Sequence, residues 1–140
     1  MIDETDALIS YLLTVGAVTT QVATRIYGAP GLPAGYIGAT KALVVFTDGG
    51  PQETSMAMQT LPFQVRCYGP TPTAAHDVYE ALHDALHDMA PVKVTVTGGS
   101  KVLLAKAGRI SGPTYLQEPE TGFNFWLANY WVVLSDRTVT

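Results

Sequence analysis

The stretch Pro62-Phe-Gln-Val-Arg-Cys-Tyr-Gly-Pro-Thr-Pro-Thr-Ala-Ala-His-Asp-Val-Tyr-Glu-Ala-Leu-His-Asp-Ala-Leu86 reads as a strand, a stop and a capped helix. Phe63, Val65 and Cys67 alternate with Gln64 and Arg66, the period-2 pattern of a strand with one buried face. Gly69 and Pro70 end the run. Thr71 is placed to cap a helix whose first position is Pro72, where the missing N–H costs nothing. From there to about Met89, the residues Ala75, Val78, Tyr79, Leu82, Leu86 and Met89 share one apolar face at about 100° per residue. The pairing of such a strand with such a helix places the chain in the α+β class.

Working outward toward the N-terminus, Asp3 to Val15 reads as a second amphipathic helix. Asp3 is its cap, Glu4 and Asp6 sit near its positive end, and Leu8, Ile9, Leu12 and Val15 form its apolar side. Gly16 reads as its stop, and Thr19 to Thr24 as a polar connection to Arg25-Ile-Tyr27. Gly28-Ala-Pro-Gly-Leu-Pro-Ala-Gly-Tyr-Ile-Gly38 is too rich in Gly and Pro for helix or ladder. Lys41-Ala-Leu-Val-Val-Phe-Thr47 is a strand, turned at Asp48-Gly-Gly-Pro51. Gln52 to Gln59 reads as a long loop or the arms of an extended hairpin. Gly28–Ile37 and Asp48–Thr60 are expected to be mobile in a free subunit and ordered on docking.

Toward the C-terminus, Val92–Thr97 and Val102–Ala105 flank Gly98-Gly-Ser100, a hairpin signal. Arg109–Gln117 and Phe123–Ser135 read as a second strand pair around Glu118-Pro-Glu-Thr-Gly122. The last strand is apolar on both faces, as expected for a strand covered on both sides. Repeats and a domain linker are absent from the sequence, so residues 1–140 are expected to form one domain.

With 47% hydrophobic and 14% charged residues, the chain is composed to fold around a core. Its mean hydropathy of +0.18 is high enough to suggest apolar surface in subunit contacts. A net charge of −4 and a pI near 5.1 give no global basic footprint for nucleic acid. The single cysteine, Cys67, excludes an intramolecular disulfide or a multi-cysteine metal site, and its place on the apolar face predicts a buried thiol. The acidic start, Met1-Ile-Asp-Glu-Thr-Asp6, is unlike a signal peptide, and no apolar run reaches the roughly 20 residues that span a bilayer. The expectation is a protein folded in a cytoplasm.

No reactive constellation assembles. His83 and His87 lie at i, i+4, with His76 one heptad before His83, but two convergent imidazoles fall short of a zinc site. The glutamate of a His-Glu-x-x-His helix is also missing. The stripe reads as solvated or interface-facing. No Gly-x-Ser-x-Gly elbow and no phosphate loop occurs. These readings assign no catalytic residue, no metal and no cofactor.

Charge distribution is more informative. Asp77, Glu80, Asp84 and Asp88 fall on the far side of the helix, in a segment without Lys or Arg, whereas Lys93, Lys101, Lys106 and Arg109 follow in a segment without acid. Two arrangements account for this: hairpin and helix lie side by side within one subunit, or they meet across a subunit boundary, where complementarity sets register and partner choice.

The order of elements carries a resemblance. An amphipathic helix leads to Arg25-Ile-Tyr-Gly-Ala-Pro-Gly-Leu-Pro33, then come Leu43–Thr47 broken at Asp48-Gly-Gly50, and Phe63-Gln-Val-Arg-Cys-Tyr68. The helix with Ala74, Ala75, Val78, Ala81, Leu82 and Leu86 follows, and two closing strand pairs contain Pro113-Thr-Tyr-Leu116. This layout resembles the tail terminator, or tail-completion, proteins of long-tailed bacteriophages, which join tail to head. The likeness spans nearly the whole chain and consists of turns and apolar positions, with no invariant chemical signature.

The resemblance implies an α+β fold with a mainly antiparallel sheet and two principal helices packed on it. It also implies a homo-hexameric ring that caps the tail tube in the neck of the virion. Its partners would be its own copies, the tail tube protein and a head-completion or connector protein, with DNA passing transiently through the lumen. A ring needs heterologous contacts, for which the acidic helix and the basic hairpin are candidate partners. Another neck or tube component is the alternative within this class. A small ligand-binding or enzymatic module is the alternative outside it.

Overall fold

The structure is a computed structural model that describes residues 4–28, 31–47, 58–87, 89–96, 99 and 101–135. In chain order the elements are α1 (Glu4–Leu12), α2 (Gly16–Val22), β1 (Ile26–Tyr27), β2 (Ala42–Thr47) and β3 (Met58–Gly69). They continue with α3 (Pro72–Leu86), β4 (Val92–Thr95), β5 (Lys101–Gln117) and β6 (Asn124–Ser135). The strands form one six-stranded sheet in the order β1-β2-β3-β6-β5-β4. All neighbours are antiparallel except β1, which runs parallel to β2, so the sheet is mixed.

The strand–helix unit at 62–86 forms as its local chemistry dictates. Thr71 has extended backbone and its side chain accepts from the Ala74 N–H at 3.1 Å, with Pro72 opening the helix. Gly69 permits the sharp passage from β3 to α3: a Cβ there would lie 2.5 Å from the Ala75 amide nitrogen and 2.9 Å from the Ala74 carbonyl carbon. Ala75, Val78, Tyr79, Leu82, Ala85 and Leu86 are buried against the sheet. Each large side chain among them contributes on the order of 1.5–3 kcal/mol by leaving water. The helix ends at Leu86, one turn earlier than its apolar period suggests, and Met89 packs against the core from the following segment.

The main core lies between the helices and one sheet face. Leu8 and Leu12 of α1, Val18 and Val22 of α2, and Leu82 of α3 meet Leu43, Val45, Phe63, Val65, Cys67, Leu104, Tyr130, Val132 and Leu134 from the strands. Tyr11 donates from its hydroxyl to the Ala85 carbonyl at 2.8 Å, which ties α1 to α3. A second, smaller cluster covers part of the opposite face, where Ala42, Val44, Tyr68 and Phe125 are buried beneath Leu32 and Tyr36. Tyr36 stacks edge-on against Phe123 and Tyr68, so the Gly- and Pro-rich segment is anchored to the sheet through its aromatic residue.

Two expectations need correction and two are sharpened. Gly16 is not a terminus but the first residue of α2, so three helices cover the sheet. Its seven residues bury Val18 and Val22, four apart, and the Thr19 and Thr20 hydroxyls bond back to the Gly16 carbonyl. Threonines that read as loop therefore satisfy the helix's own backbone. Second, β5 is continuous over 17 residues, so the two closing strand pairs are one run in which β5 pairs with both β4 and β6. Register shifts between Leu104 and Lys106, Arg109 and Ser111, and Ser111 and Thr114 break its period and disguise it as two strands. Third, Met58–Thr60 belong to β3, so of the two readings of this segment the arm of an extended hairpin holds for Met58 and Gln59. Fourth, the sheet is mainly antiparallel but mixed, because β1 pairs with β2 in parallel. The Asp3 cap and residues 48–57 lie outside the described residues.

Candidate functional site

The eight candidate interface residues divide by face. On α3, Asp77, Glu80 and Asp84 are exposed and lie diametrically opposite the buried positions Ala75, Val78, Tyr79, Leu82 and Leu86. They therefore point straight away from the sheet. Glu80 receives His76, whose Nδ1 is 3.2 Å from its carboxylate. Asp88 lies outside the described residues.

Three of the four cations occupy the other side of the domain. Val94, Val102 and Leu104 face the helix-side core, and Val94 pairs with Val102, so Lys93 and Lys101 alternate onto the helix-free face. Lys106 pairs with Val133 beyond the first register shift, next to Val132 and Leu134 of the core, and joins the same face. All three lysines are exposed. The strands β3, β4, β5 and β6 contain no acidic residue.

Arg109 departs from the expected grouping. It pairs with Tyr130, on the helix side, and its Nη1 donates to the Tyr79 hydroxyl of its own α3 at 3.2 Å. Here the arrangement within one subunit holds: the register shift between Leu104 and Lys106 inverts the alternation, so Arg109 falls on the helix side. Tyr79 also accepts from the buried Tyr130 hydroxyl at 3.4 Å, and Tyr130 lies 2.8 Å from Nδ1 of His83. A hydroxyl has one proton. With Tyr130 donating to Tyr79, His83 donates from Nδ1, which leaves Nε2 as the atom that titrates. Burial, then Arg109 and His87, hold the His83 imidazole below the usual histidine range, while Asp84 pulls it upward. The histidine stripe was visible in the sequence at positions 76, 83 and 87, but the hydroxyl partner of His83, Tyr130, lies 47 residues away in the chain.

Other groups are structural. Cys67 is fully buried, and burial pushes its thiol far up. On the helix-free face, Arg66 lies between the rings of Phe46 and Phe125, 5.4 Å from each centroid. Tyr68 donates to Glu118 at 2.8 Å, and burial together with that carboxylate raises its hydroxyl to about 12. Among the described residues no group of three or more His, Cys, Asp or Glu converges on a point where a metal could sit. No helix is long and apolar enough to cross a membrane among those residues.

No family model and no characterised protein matches the sequence. The fold does have a counterpart among solved structures. A chain from a structure described as the virion of a native gene transfer agent particle superposes with a TM-score of 0.61 over 94% of both chains, at 14% identity. The two share a fold from end to end.

Proposed function

We propose that this chain is a structural subunit of a phage-like virion and that its role is that of a tail terminator. Copies would form a homo-hexameric ring that ends the tail tube and meets the head-completion or connector protein. The observation that carries the reading is the fold shared over 94% of both chains with a virion component, at a divergence where only architecture persists. The layout of turns and apolar positions supplies the terminator assignment within that class.

The charge geometry suggests how copies would meet. Acids on the outward side of α3 and lysines on the helix-free sheet face point in opposite directions, so neither patch can reach the other inside one subunit. Two complementary and non-identical patches on opposite sides favour a front-to-back contact, the kind that closes into rings. Asp77, Glu80 and Asp84 of one copy would face Lys93 and Lys101 of the next. Exposed pairs contribute only about 0–1 kcal/mol each, so they choose register and do not by themselves hold the ring.

The test is a charge reversal with rescue. Lys93→Glu with Lys101→Glu should reduce ring formation, read by native mass spectrometry and electron microscopy, and adding Asp77→Lys with Asp84→Lys should partly restore it. Particles lacking the protein should carry overlong or headless tails. Absent tails would instead indicate a tube subunit, and rings unaffected by either reversal would remove the proposed contact.

A further inference from the structure

Two clefts meet on the helix-free face of the sheet. One, of about 300 Å³, lies between the Gly- and Pro-rich segment and the strands, with Leu32, Tyr36, Phe46 and Phe123 in its walls. The other, of about 510 Å³, is bounded by Leu116, Pro119 and Phe125. Arg66, Glu118 and Thr121 line both. The register makes this a single surface: Arg66 pairs with Val44 and Leu127, and Tyr68 and Leu116 both pair with Phe125, so these side chains share one face. A polar junction therefore stands between two largely apolar compartments. Leu116 is left 39% exposed in the second of them.

The groups at the junction are held in place and retain bonding capacity. Arg66 lies between the Phe46 and Phe125 rings, and its Nε donates to the Gln64 side-chain oxygen at 3.2 Å. Its guanidinium also bears on the Tyr68 hydroxyl, and its five N–H donors exceed what these partners use. One Glu118 oxygen accepts from Tyr68 at 2.8 Å and the other from Thr121 at 2.9 Å, and each keeps a second lone pair. The charges restrict what enters. An anion drawn to Arg66 meets Glu118 and Glu120 on the same cleft, and a cation drawn to those acids meets Arg66. A neutral group with an acceptor beside a donor suits both, and a peptide amide is such a group: its C=O faces Arg66 and its N–H faces Glu118. In an extended chain the two side chains flanking an amide point to opposite sides, which matches a compartment on each side of the junction.

We propose that the joined clefts bind an extended apolar segment of a partner protein, with one peptide amide held between Arg66 and Glu118 and one flanking side chain in each cleft. A nucleobase also presents donors beside acceptors, but Glu118 and Glu120 repel the phosphate that accompanies it. The surface lies mainly over β2, β3 and β6, whereas the lysines of the proposed ring contact lie on β4 and β5, so the site depends on neither the ring nor the terminator role.

The experiment titrates the full chain with N-acetyl-leucyl-leucinamide, its glycyl-glycinamide analogue, N-acetyl-leucyl-leucine with a free carboxylate, and guanosine monophosphate. NMR of the Leu32, Thr121 and Phe123 amides follows each. The leucyl amide should shift these signals saturably, and the glycyl analogue should bind about tenfold more weakly for want of two buried side chains. The free acid should bind more weakly than the amide, and Glu118→Gln should reduce that preference. Arg66→Met keeps the stem between the rings, removes the donors and should weaken the leucyl amide about tenfold. Leu116→Asp, at an exposed position, should weaken it in the same direction and covers the case where Arg66→Met disturbs the fold. Guanosine monophosphate shifting the same signals at lower concentration than the leucyl amide overturns the peptide reading in favour of a nucleobase. No saturable shift with the leucyl amide, equal binding of its glycyl analogue, or binding that Arg66→Met and Leu116→Asp both leave unchanged overturns the site.

Discussion

The passage from β3 into α3 can be tested by one methyl group placed at two glycines. In Gly69→Ala the new Cβ would sit 2.5 Å from the Ala75 nitrogen and 2.9 Å from both the Ala74 carbonyl carbon and the Ala75 Cα. All three are backbone atoms of the first helical turn, so no side-chain rotation relieves the clash. The helix must move off the strand, which strains two bonds that fasten this corner. One runs from Trp126 Nε1 to the Pro72 carbonyl at 2.9 Å, the other from the Asn124 side-chain amide to the Pro70 carbonyl at 3.3 Å. Overpacking of this kind costs roughly 1–3 kcal/mol. Gly16→Ala is the control: at the start of α2 nothing lies within 4 Å of the added carbon, and the residue has no positive φ. There the change should stabilise by about 0.4–1 kcal/mol by narrowing the unfolded ensemble. Urea unfolding followed by circular dichroism should thus move the midpoint in opposite directions for the same substitution, with similar m-values. A neutral Gly69→Ala, or two shifts of the same sign, would refute the close approach of strand and helix.

His83 supplies a pH prediction. Its folded pKa lies below the ordinary value of 6.5, so the unfolded chain binds more protons as pH falls through that region, and stability should drop below about pH 6.5. Thermal melts from pH 7.5 to 5 should show this decline, and His83→Gln should flatten it. Tyr11→Phe removes the bond to the Ala85 carbonyl and should cost about 1 kcal/mol in the same urea assay, with α1 fraying first by hydrogen exchange.

Features governed by neighbours in the chain were legible in the amino acids. The alternation of Phe63, Val65 and Cys67, the Thr71-Pro72 cap and the apolar face of α3 all appear in the fold as their spacing predicts. Each depends on steric and hydrogen-bond preferences within a few residues. α2 escaped because its two buried valines are too few for a helical period, and its stability comes from the core they enter.

Tertiary structure decided the rest. Alternation along a strand says that two faces exist, but which face meets the helices depends on pairing with distant strands and on every bulge between. The register shift between Leu104 and Lys106 inverts the alternation of β5, which leaves Lys106 on the open face and puts Arg109, three residues on, beside Tyr79. The clustering of charge by sign was written in the sequence. Its separation onto opposite sides of the domain, and the gathering of His83 and Arg109 on a pair of tyrosines, follow from contacts 30 to 51 residues apart in the chain, which local periodicity does not encode.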